Sequence, residues 1–301
     1  MENIVKEIQK VKKEKKAIIL AHNYQRPEVQ DIADFVGDSL ELSTKAKDTD
    51  AKIIIFCGVH FMAETAKILS PEKKVILPRM DAGCPMADMV TSQGLLELKN
   101  QYPDYKVVTY VNSTADVKAL SDSCCTSSNA INIVKNIESE KIIFVPDRNL
   151  AHYVARFVKK DIIPWQGFCP THERLEVNDI LEKKKENPEA KVLVHPECKP
   201  EVVDIADRAL STSGIIKFCH EDVSKTFIIG TEMGILHRLQ KENPEKKFIL
   251  ASDRLVCPNM KLTRLEDVYK ALMDEDGIIE LSGDVIKKAK EALLNMYRLN
   301  Y

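Results

Sequence analysis

The chain has 301 residues, of which 44% are hydrophobic and 30% are charged, and its formal net charge is −2 at pH 7. The length suits one large domain or two to three small ones, and the near-zero charge argues against a nucleic-acid-binding protein, which normally carries a basic face. No apolar run approaches the roughly 18 residues that a membrane-spanning helix needs, so we expect a cytoplasmic protein with neither nucleic acid nor membrane as a partner.

The segment 1–16 mixes Lys and Glu with spaced apolar residues, which predicts an amphipathic surface helix rather than a secretion signal. Three aliphatic runs then follow. The first starts at Lys16, the second starts at Lys52 and opens a longer helix, and the third is a short strand that ends in Cys84-Pro85. Each run is bounded by Lys before it and by Gly, Pro or Asn after it, which is typical of a strand buried on both faces.

The same order of segments returns twice along the chain. The later copies start at Lys106 and Lys191 and end in Cys169-Pro170 and Cys257-Pro258. The three cysteines therefore lie 85 and 88 residues apart, and the octapeptides 27–34 and 200–207 agree at seven of eight positions. Strand–helix units resemble one another generically, which leaves a chance repeat as the alternative, but the shared Cys-Pro and the octapeptide argue against it.

Strands that alternate with helices in this way indicate βαβ units and parallel sheets. We therefore predict an α/β fold of three homologous three-layer αβα domains, with parallel sheets arranged around a pseudo-threefold axis. The predicted domains are residues 1–84, 85–169 and 170–261. The remaining residues 262–301 are predicted to form two helices that pack back on the first domain beside the N-terminal helix.

Ligands bind at the carboxyl ends of the strands in parallel α/β sheets. If those ends face inward, the polar residues after the strands line one central cavity together with the three Cys-Pro cysteines. Soft thiolates select zinc, copper(I) or an iron–sulfur centre, and three without a matching fourth suggest a cubane cluster with one open iron. The chain has eight cysteines but no Cys-x-x-Cys, which argues against a zinc ribbon, a thioredoxin-like site or a ferredoxin-type loop.

Ser/Thr-rich turns at predicted helix starts suit carboxylate or phosphate groups. An open iron is a Lewis acid that can hold a hydroxyl or carboxylate and help to expel water. The combination favours a small anionic substrate that undergoes dehydration.

Several motifs resemble the quinolinate synthase family. They are HNYQ (22–25), QDIADF (30–35), GDS (37–39), YVNS (110–113), CTSSNA (125–130), PDRNL (146–150), HPEC (195–198) and STSG (211–214), together with the three Cys-Pro pairs. The resemblance implies three αβα domains in a triangle around a [4Fe-4S] cluster with three cysteine ligands. It implies an enzyme of NAD biosynthesis that condenses iminoaspartate (iminosuccinate) with dihydroxyacetone phosphate to quinolinate, phosphate and two waters. Functional coupling to an aspartate oxidase or dehydrogenase would supply the iminoaspartate.

By the same resemblance, Cys84, Cys169 and Cys257 are the cluster ligands. The implied catalytic residues are His22, Tyr24, His172 and Glu197. The implied substrate-binding residues are His22, Ser39, Tyr110, Asn112, Ser127, His195, Glu197 and Thr212. A glutamate on a cavity wall can remove a proton next to an imine or carbonyl if burial raises its pKa. The simpler interpretation of Ser39, Ser127 and Thr212 is helix N-capping, which can coexist with anion binding.

The remaining cysteines and histidines carry weaker signals. Cys198, beside the HPE motif, is the other cysteine expected nearest the site, and Trp165 is expected to pack near the loop of Cys169. We expect structural or surface roles for His60, His152, His220 and His237. Some family members carry a C-terminal Cys-x-x-Cys-x-x-Cys that this sequence lacks, so thiol switching through that motif is not expected.

Two alternatives stay open at this point. The diphthamide-synthesis enzymes also place one cysteine in each of three similar domains, but they use S-adenosylmethionine and lack the HNYQ and HPE motifs as they stand here. A non-enzymatic iron–sulfur or zinc sensor needs the ligands but not a ring of anion-binding groups, and the dense set of polar strand-end residues argues against it.

Overall fold

A computed structural model describes residues 2–300. The strands are β1 (Ala17–His22), β2 (Phe35–Gly37), β3 (Ile53–Cys57), β4 (Lys74–Ile76), β5 (Lys106–Tyr110), β6 (Ser123–Cys125), β7 (Lys141–Val145), β8 (Asp161–Pro164), β9 (Lys191–Val194), β10 (Arg208–Ala209), β11 (Thr226–Gly230) and β12 (Lys247–Leu250). The helices are α1 (Glu2–Glu14), α2 (Pro27–Ile32), α3 (Ser39–Asp48), α4 (His60–Leu69), α5 (Pro85–Asp88), α6 (Ser92–Gln101), α7 (Ala115–Lys118), α8 (Ala130–Asn136), α9 (Arg148–Ala155), α10 (Val177–Glu186), α11 (Pro200–Asp204), α12 (Thr212–Glu221), α13 (Ile235–Glu242), α14 (Leu265–Asp274) and α15 (Gly283–Leu299). Short 3₁₀ turns cover His172–Arg174 and Asn259–Lys261.

The strands of residues 2–300 form three parallel four-stranded sheets of identical topology. Their orders are β2-β1-β3-β4, β6-β5-β7-β8 and β10-β9-β11-β12. We call the segments that carry these sheets the first, second and third units. Helices flank each sheet, so the predicted α/β fold of three αβα layered units with parallel sheets is confirmed.

The aliphatic strands are buried on both faces, and the two faces belong to different cores. Equivalent inner residues of the three units share one continuous core, and these are Leu20, Val108 and Leu193. Their outward-facing neighbours Ile19, Val107 and Val192 belong to three separate clusters. The inner layers therefore pack against one another around the centre of the molecule, while each outer layer belongs to its own unit.

An aspartate fixes the start of the edge strand in every unit. Asp34, Asp122 and Asp207 each accept a hydrogen bond at 2.8 Å from a first-strand backbone N–H, that of Ile19, Val107 and Val192 respectively. Each carboxylate also pairs with a lysine, at 2.6 Å for Lys12, 2.9 Å for Lys106 and 3.1 Å for Lys191. The octapeptide match seen in the sequence ends on this aspartate in the first and third units.

The last two helices pack in different places. α14 lies against α1 and β3 of the first unit, whereas α15 contacts α4 of the first unit and α7, β6 and α8 of the second. Asn295 Nδ2 in α15 donates to the Asp122 carbonyl at 2.8 Å. The last helix therefore bridges two units, and the predicted domain boundaries at residues 84, 169 and 261 stay predictions. None of the helices within residues 2–300 has both the length and the apolar character that a bilayer span requires.

Candidate active site

The carboxyl ends of the three sheets enclose one cavity of about 170 Å³. Every residue that the sequence predicted for the site lines this cavity, namely His22, Tyr24, Ser39, Cys84, Tyr110, Asn112, Ser127, Cys169, His172, His195, Glu197, Thr212 and Cys257. All three units contribute to the wall. The placement matches the expectation from parallel sheets, while the chemical role of each residue stays a prediction.

The three Cys-Pro cysteines differ from the others in exposure. Cys84, Cys169 and Cys257 are partly exposed, whereas Cys57, Cys124, Cys125, Cys198 and Cys219 are buried. The exposed surface of the first three faces the cavity inside the molecule, so burial still raises the pKa of each thiol, to about 12 for Cys84. A bound cation would therefore be needed to keep them as thiolates.

Each Cys-Pro opens a helical turn, which is α5 after Cys84 and a 3₁₀ turn after Cys169 and Cys257. Backbone N–H groups of these turns face the sulfurs, as those of Ala87 and Met86 do at Cys84. Such amides favour a thiolate and are typical surroundings of a metal-bound sulfur. The repeated dipeptide thus builds the same sulfur environment in each unit.

The donor set fits a metal centre in two ways. One thiol from each unit faces the cavity, and no other cysteine of residues 2–300 lines it, which suits a cluster held by three sulfurs. Cys169 Sγ, a His172 ring nitrogen and a Glu197 oxygen also lie within 4.8 Å of one another, which would suit a single ion such as zinc. His172 Nδ1 and Glu197 Oε2 already satisfy each other at 2.7 Å, so the three-sulfur arrangement leaves fewer groups unpaired.

His22 and His195 occupy the same place in two units and form the same turn. The backbone N–H of Tyr24 donates to His22 Nδ1 at 3.1 Å, and that of Glu197 donates to His195 Nδ1 at 3.3 Å. Burial lowers the pKa of both rings, to about 4 for His22. The His22 imidazole is therefore neutral near pH 7 and, with Nδ1 occupied by the backbone, carries its proton on Nε2. His195 Nε2 lies 3.2 Å from Ser127 Oγ.

Glu197 lies between two imidazoles and is only 3% exposed. Its Oε2 is 2.7 Å from His172 Nδ1 and 3.4 Å from His195 Nδ1, and Asn112 Nδ2 donates to its Oε1 at 3.5 Å. Burial would raise the pKa of Glu197, but His195 and His172 outweigh burial and hold that pKa well below its ordinary value. The condition of a raised pKa is therefore not met, and Glu197 is an ionised carboxylate near pH 7.

Two buried tyrosines face the cavity. The Tyr24 hydroxyl lies 2.9 Å from Thr212 Oγ1 and 2.6 Å from Thr231 Oγ1, and the Tyr110 phenol lies near Glu197 and Ser127. Burial raises the pKa of both phenols well above the ordinary value. Both tyrosines therefore stay protonated across the physiological range and can donate hydrogen bonds or protons.

Ser39, Ser127 and Thr212 take equivalent places, because β2, β6 and β10 pair with their neighbours in the same register. None of the three is the helix cap. Asp38 caps α3, Ser211 caps α12 and Asn129 precedes α8. The N-capping interpretation of these residues is therefore wrong, and their hydroxyls line the cavity instead.

Asp38 lies in the GDS motif, and the role that was not predicted for it is that it joins all three units. Its Oδ1 accepts from the backbone N–H groups of Leu40 and Glu41 at 3.0 Å. Its Oδ2 accepts from the hydroxyls of Ser128 in the second unit and Ser213 in the third. An aspartate before a helix signals a cap, but nothing local signals partners that lie 90 and 175 residues away.

Residues after β11 and after Cys257 were also missed. Glu232 Oε1 accepts from the Cys257 backbone N–H at 3.1 Å, and Lys261 Nζ lies 3.0 Å from Glu232. Lys261 also donates to the Tyr24 carbonyl, so this ion pair ties the Cys257 loop to the first unit. Thr231 hydrogen-bonds Tyr24 from the same strand end. Their position at the carboxyl end of a buried strand was the signal that could have identified them.

The weaker expectations have definite places in the structure. Cys198 is 1% exposed and packs in the core of the third unit, away from the cavity wall. Trp165 Nε1 donates to the Met89 carbonyl at 2.8 Å, and the Phe168 N–H contacts Met89 Sδ at 3.4 Å. The indole thus packs between the loops that follow Cys84 and precede Cys169. The cavity wall includes none of His60, His152, His220 and His237.

Comparison with known proteins gives one consistent result. The family model described as Quinolinate synthetase A protein matches residues 6–298. The quinolinate synthase of Geobacter metallireducens is 56% identical over 295 residues, which cover 98% of this chain and 97% of that protein. The quinolinate synthase of Thermodesulfovibrio yellowstonii is 55% identical over 296 residues, 98% of each chain. That of Caldicellulosiruptor saccharolyticus is 53% identical over 301 residues, 100% of this chain and 99% of that protein.

Proposed function

The chain belongs to the quinolinate synthase family, and from that premise we propose that it condenses iminoaspartate with dihydroxyacetone phosphate to quinolinate, phosphate and water in NAD biosynthesis. The observation that carries the proposal is the convergence of three thiols, neutral imidazoles and hydroxyls from three units on one cavity. Both substrates are small anions, and such walls suit carboxylate and phosphate groups. Family membership leaves the diphthamide-synthesis alternative without support.

We infer that Cys84, Cys169 and Cys257 hold a [4Fe-4S] cluster. The inference is supported by one cavity-facing thiol from each unit and by the backbone N–H groups that face the sulfurs. When bound, a cluster with three protein sulfurs supplies one open iron as a Lewis acid for a substrate oxygen or nitrogen. The ring of hydroxyls and imidazoles beside it favours an enzyme over a metal sensor.

We expect uncharged hydrogen-bond donors to hold the anionic groups of the substrates. Ser39 and Thr212 stand at the first residues of the ten-residue helices α3 and α12, where the helix N-terminus adds partial positive charge. His22 presents an Nε2–H donor, because the backbone N–H of Tyr24 occupies its Nδ1, and His195 Nε2 lies beside the Ser127 hydroxyl. These groups can bind carboxylate and phosphate and orient the two substrates toward each other.

Glu197 and Tyr24 divide the proton transfers. Each water that leaves the substrate requires one proton to leave carbon or nitrogen and another to reach the departing hydroxyl. Glu197 is ionised and accepts the carbon-bound proton, while His172 holds it in place at 2.7 Å. Tyr24 is kept as a phenol and donates to the departing hydroxyl, and the His22 ring packs edge-on against it with centroids 4.6 Å apart.

The test is an anaerobic assay in which purified protein is mixed with iminoaspartate and dihydroxyacetone phosphate. We expect quinolinate and one phosphate for each turnover, and neither product when one substrate is omitted. Failure to form quinolinate with protein that carries a full complement of iron and sulfide would overturn the proposal.

Location and supply complete the proposal. We place the protein in the cytoplasm, coupled to an aspartate oxidase or dehydrogenase. An imine hydrolyses in water, so an enzyme that oxidises aspartate must provide iminoaspartate close to where it is used. A supply of the imine at a rate faster than its hydrolysis should raise quinolinate yield in a mixture of the two enzymes.

A further inference from the structure

The cavity opens to solvent beside the three Cys-Pro pairs. Within residues 2–300 most of its wall is buried or half-buried, and the exposed wall residues are Pro85, Arg174 and Pro258. The two prolines directly follow cysteines, and Arg174 ends the short 3₁₀ turn after Cys169. We call Pro85, Arg174 and Pro258 the mouth of the cavity, because they are the wall residues that solvent reaches most.

Arg174 is the charged residue of the mouth. Among residues 2–300 it is also the only lysine or arginine that lines the cavity, whereas the carboxylates of Asp38, Glu197 and Glu232 line the inner wall. Those carboxylates already have partners, such as His172 for Glu197 and Lys261 for Glu232. An anion that enters the cavity therefore meets negative side chains inside and a single positive one at the mouth.

The guanidinium of Arg174 has no partner among the described residues. It makes neither a hydrogen bond nor an ion pair there, although the adjacent Glu173 pairs with Arg148 at 2.7 Å. A guanidinium is a planar cation whose N–H donors stand in a fixed fork that fits a carboxylate or a phosphate. The Arg174 side chain is therefore available for an anion from solvent.

The corresponding positions of the other two units carry no charge. Five residues after each Cys-Pro cysteine, the chain has Met89, Arg174 and Leu262. An apolar side chain satisfies the fold at two of these three places, so the repeated architecture does not require an arginine at the third. The cation at the mouth is a feature of one unit alone.

We propose that Arg174 is a substrate-binding residue, which captures the carboxylate or phosphate group of an entering substrate at the mouth before the inner hydroxyls receive it. The proposal rests on the proposed function and deepens it, because both proposed substrates are small anions. A cation at the entrance of a cleft raises the rate at which anions associate, and salt weakens its effect. Arg174 therefore acts on substrate binding and not on the proton transfers.

The kinetic test compares Arg174→Gln, which removes the charge, with Arg174→Lys, which keeps it. At equal iron content we expect Arg174→Gln to lower kcat/KM for at least one substrate about three- to tenfold, with kcat changed less than about twofold. Arg174→Lys should lose less, and raising the salt from about 0.05 M to about 0.5 M should shrink the difference between Arg174→Gln and wild type. Varying iminoaspartate and dihydroxyacetone phosphate in turn shows whether a carboxylate or a phosphate is captured.

Arg208→Gln is the matched control. Arg208 in β10 is also exposed but lies outside the cavity wall, and its replacement changes the net charge by the same amount. Its kcat/KM values should equal those of wild type. Equal kcat/KM for both substrates in Arg174→Gln and wild type would overturn the proposal, and so would an equal loss in Arg208→Gln, which would reveal a general effect of net charge.

A binding measurement separates this proposal from the proposed function. Isothermal titration calorimetry of the full-length protein with inorganic phosphate, and separately with succinate, gives the Kd of each anion without turnover. For at least one anion, Arg174→Gln should bind about two- to fivefold more weakly than wild type and Arg208→Gln, as expected for an exposed ion pair. Equal Kd values for both anions in all three proteins would overturn the inference even if the wild type forms quinolinate. The expected weakening in a protein that forms no quinolinate would contradict only the proposed function.

Discussion

The two ends of the three sheets have diverged to different degrees. At the start of the edge strands, Asp34, Asp122 and Asp207 make the same backbone hydrogen bond at the same 2.8 Å. At the carboxyl ends, Tyr24, Asn112 and Glu197 occupy equivalent positions just after the first strands β1, β5 and β9. Three sheets with the same strand arrangement therefore surround a cavity in which equivalent positions carry three different groups, a phenol, an amide and a carboxylate. Such asymmetry is what a reaction between two different substrates requires.

The Cys-Pro pairs are the exception at the carboxyl ends, because they stay identical in all three units. Replacing any one of Cys84, Cys169 or Cys257 by Ala should abolish quinolinate formation and cluster absorbance, since two sulfurs cannot hold the cluster that the third completes. Cys219→Ala is the control, because that buried thiol lies in the core outside the cavity. Turnover retained by one of the three variants would show that its sulfur is not a ligand.

Variants of Glu197 and Asn112 test the positions at which the three units carry different side chains. Glu197→Gln should lower kcat about 10²- to 10⁴-fold, because the variant loses the base that accepts the carbon-bound proton. Asn112→Ala should cost less, since it removes one donor to the carboxylate at 3.5 Å. Steady-state kinetics at equal iron content measure both effects. A Glu197→Gln variant with more than about a tenth of the wild-type kcat would contradict the assigned role.

The lowered pKa of His22 predicts how the free energy of unfolding changes with pH. Burial lowers its pKa from 6.5 to about 4, against weaker opposing influence from Asp38. As pH falls below 6.5, the unfolded chain takes up a proton that the folded chain refuses, so stability present above pH 6.5 is lost on the way to pH 4. The contribution lost by pH 5 is about 2 kcal/mol. Urea unfolding at pH 7.5 and pH 5 measures this loss, which should be about 2 kcal/mol smaller in His22→Gln than in wild type. Equal losses of stability in the two proteins would contradict the lowered pKa of His22.

Replacing the aspartate that each unit repeats at the start of its edge strand should give the smallest and most uniform effects. Asp34→Ala, Asp122→Ala and Asp207→Ala each leave one strand N–H without its partner, which costs about 1 kcal/mol for a half-exposed bond. Urea unfolding should show similar losses in all three variants, with kcat unchanged. Unequal losses of stability, or a fall in kcat, would contradict the equal and purely structural role assigned to these three aspartates.

Sequence reasoning predicted the frame well because its signals are local. The aliphatic runs, the Lys before each and the Cys-Pro after the third strand specify three parallel sheets and the place of Cys84, Cys169 and Cys257. Strand ends in such sheets must face the cavity, so most of the residues that follow them were found as well, although Thr231 and Glu232 after β11 were missed. Family motifs then narrowed the chemistry that the spacing alone left open.

Two of the errors concern contacts between residues that lie far apart in the sequence. The pKa of Glu197 is lowered rather than raised because His172, 25 residues away, and His195 both contact it. Asp38 was missed because its serine partners come from the other two units. No local pattern in the sequence reports such distant partners. The N-capping alternative for Ser39 failed for a local reason, because its neighbour Asp38 makes the cap.

The most direct test of the central claim is metal analysis of the wild-type protein purified without oxygen. The account predicts a brown protein with about four irons and four sulfides per chain, which is the content of a [4Fe-4S] cluster. A colourless protein with one zinc at Cys169, His172 and Glu197 would contradict it.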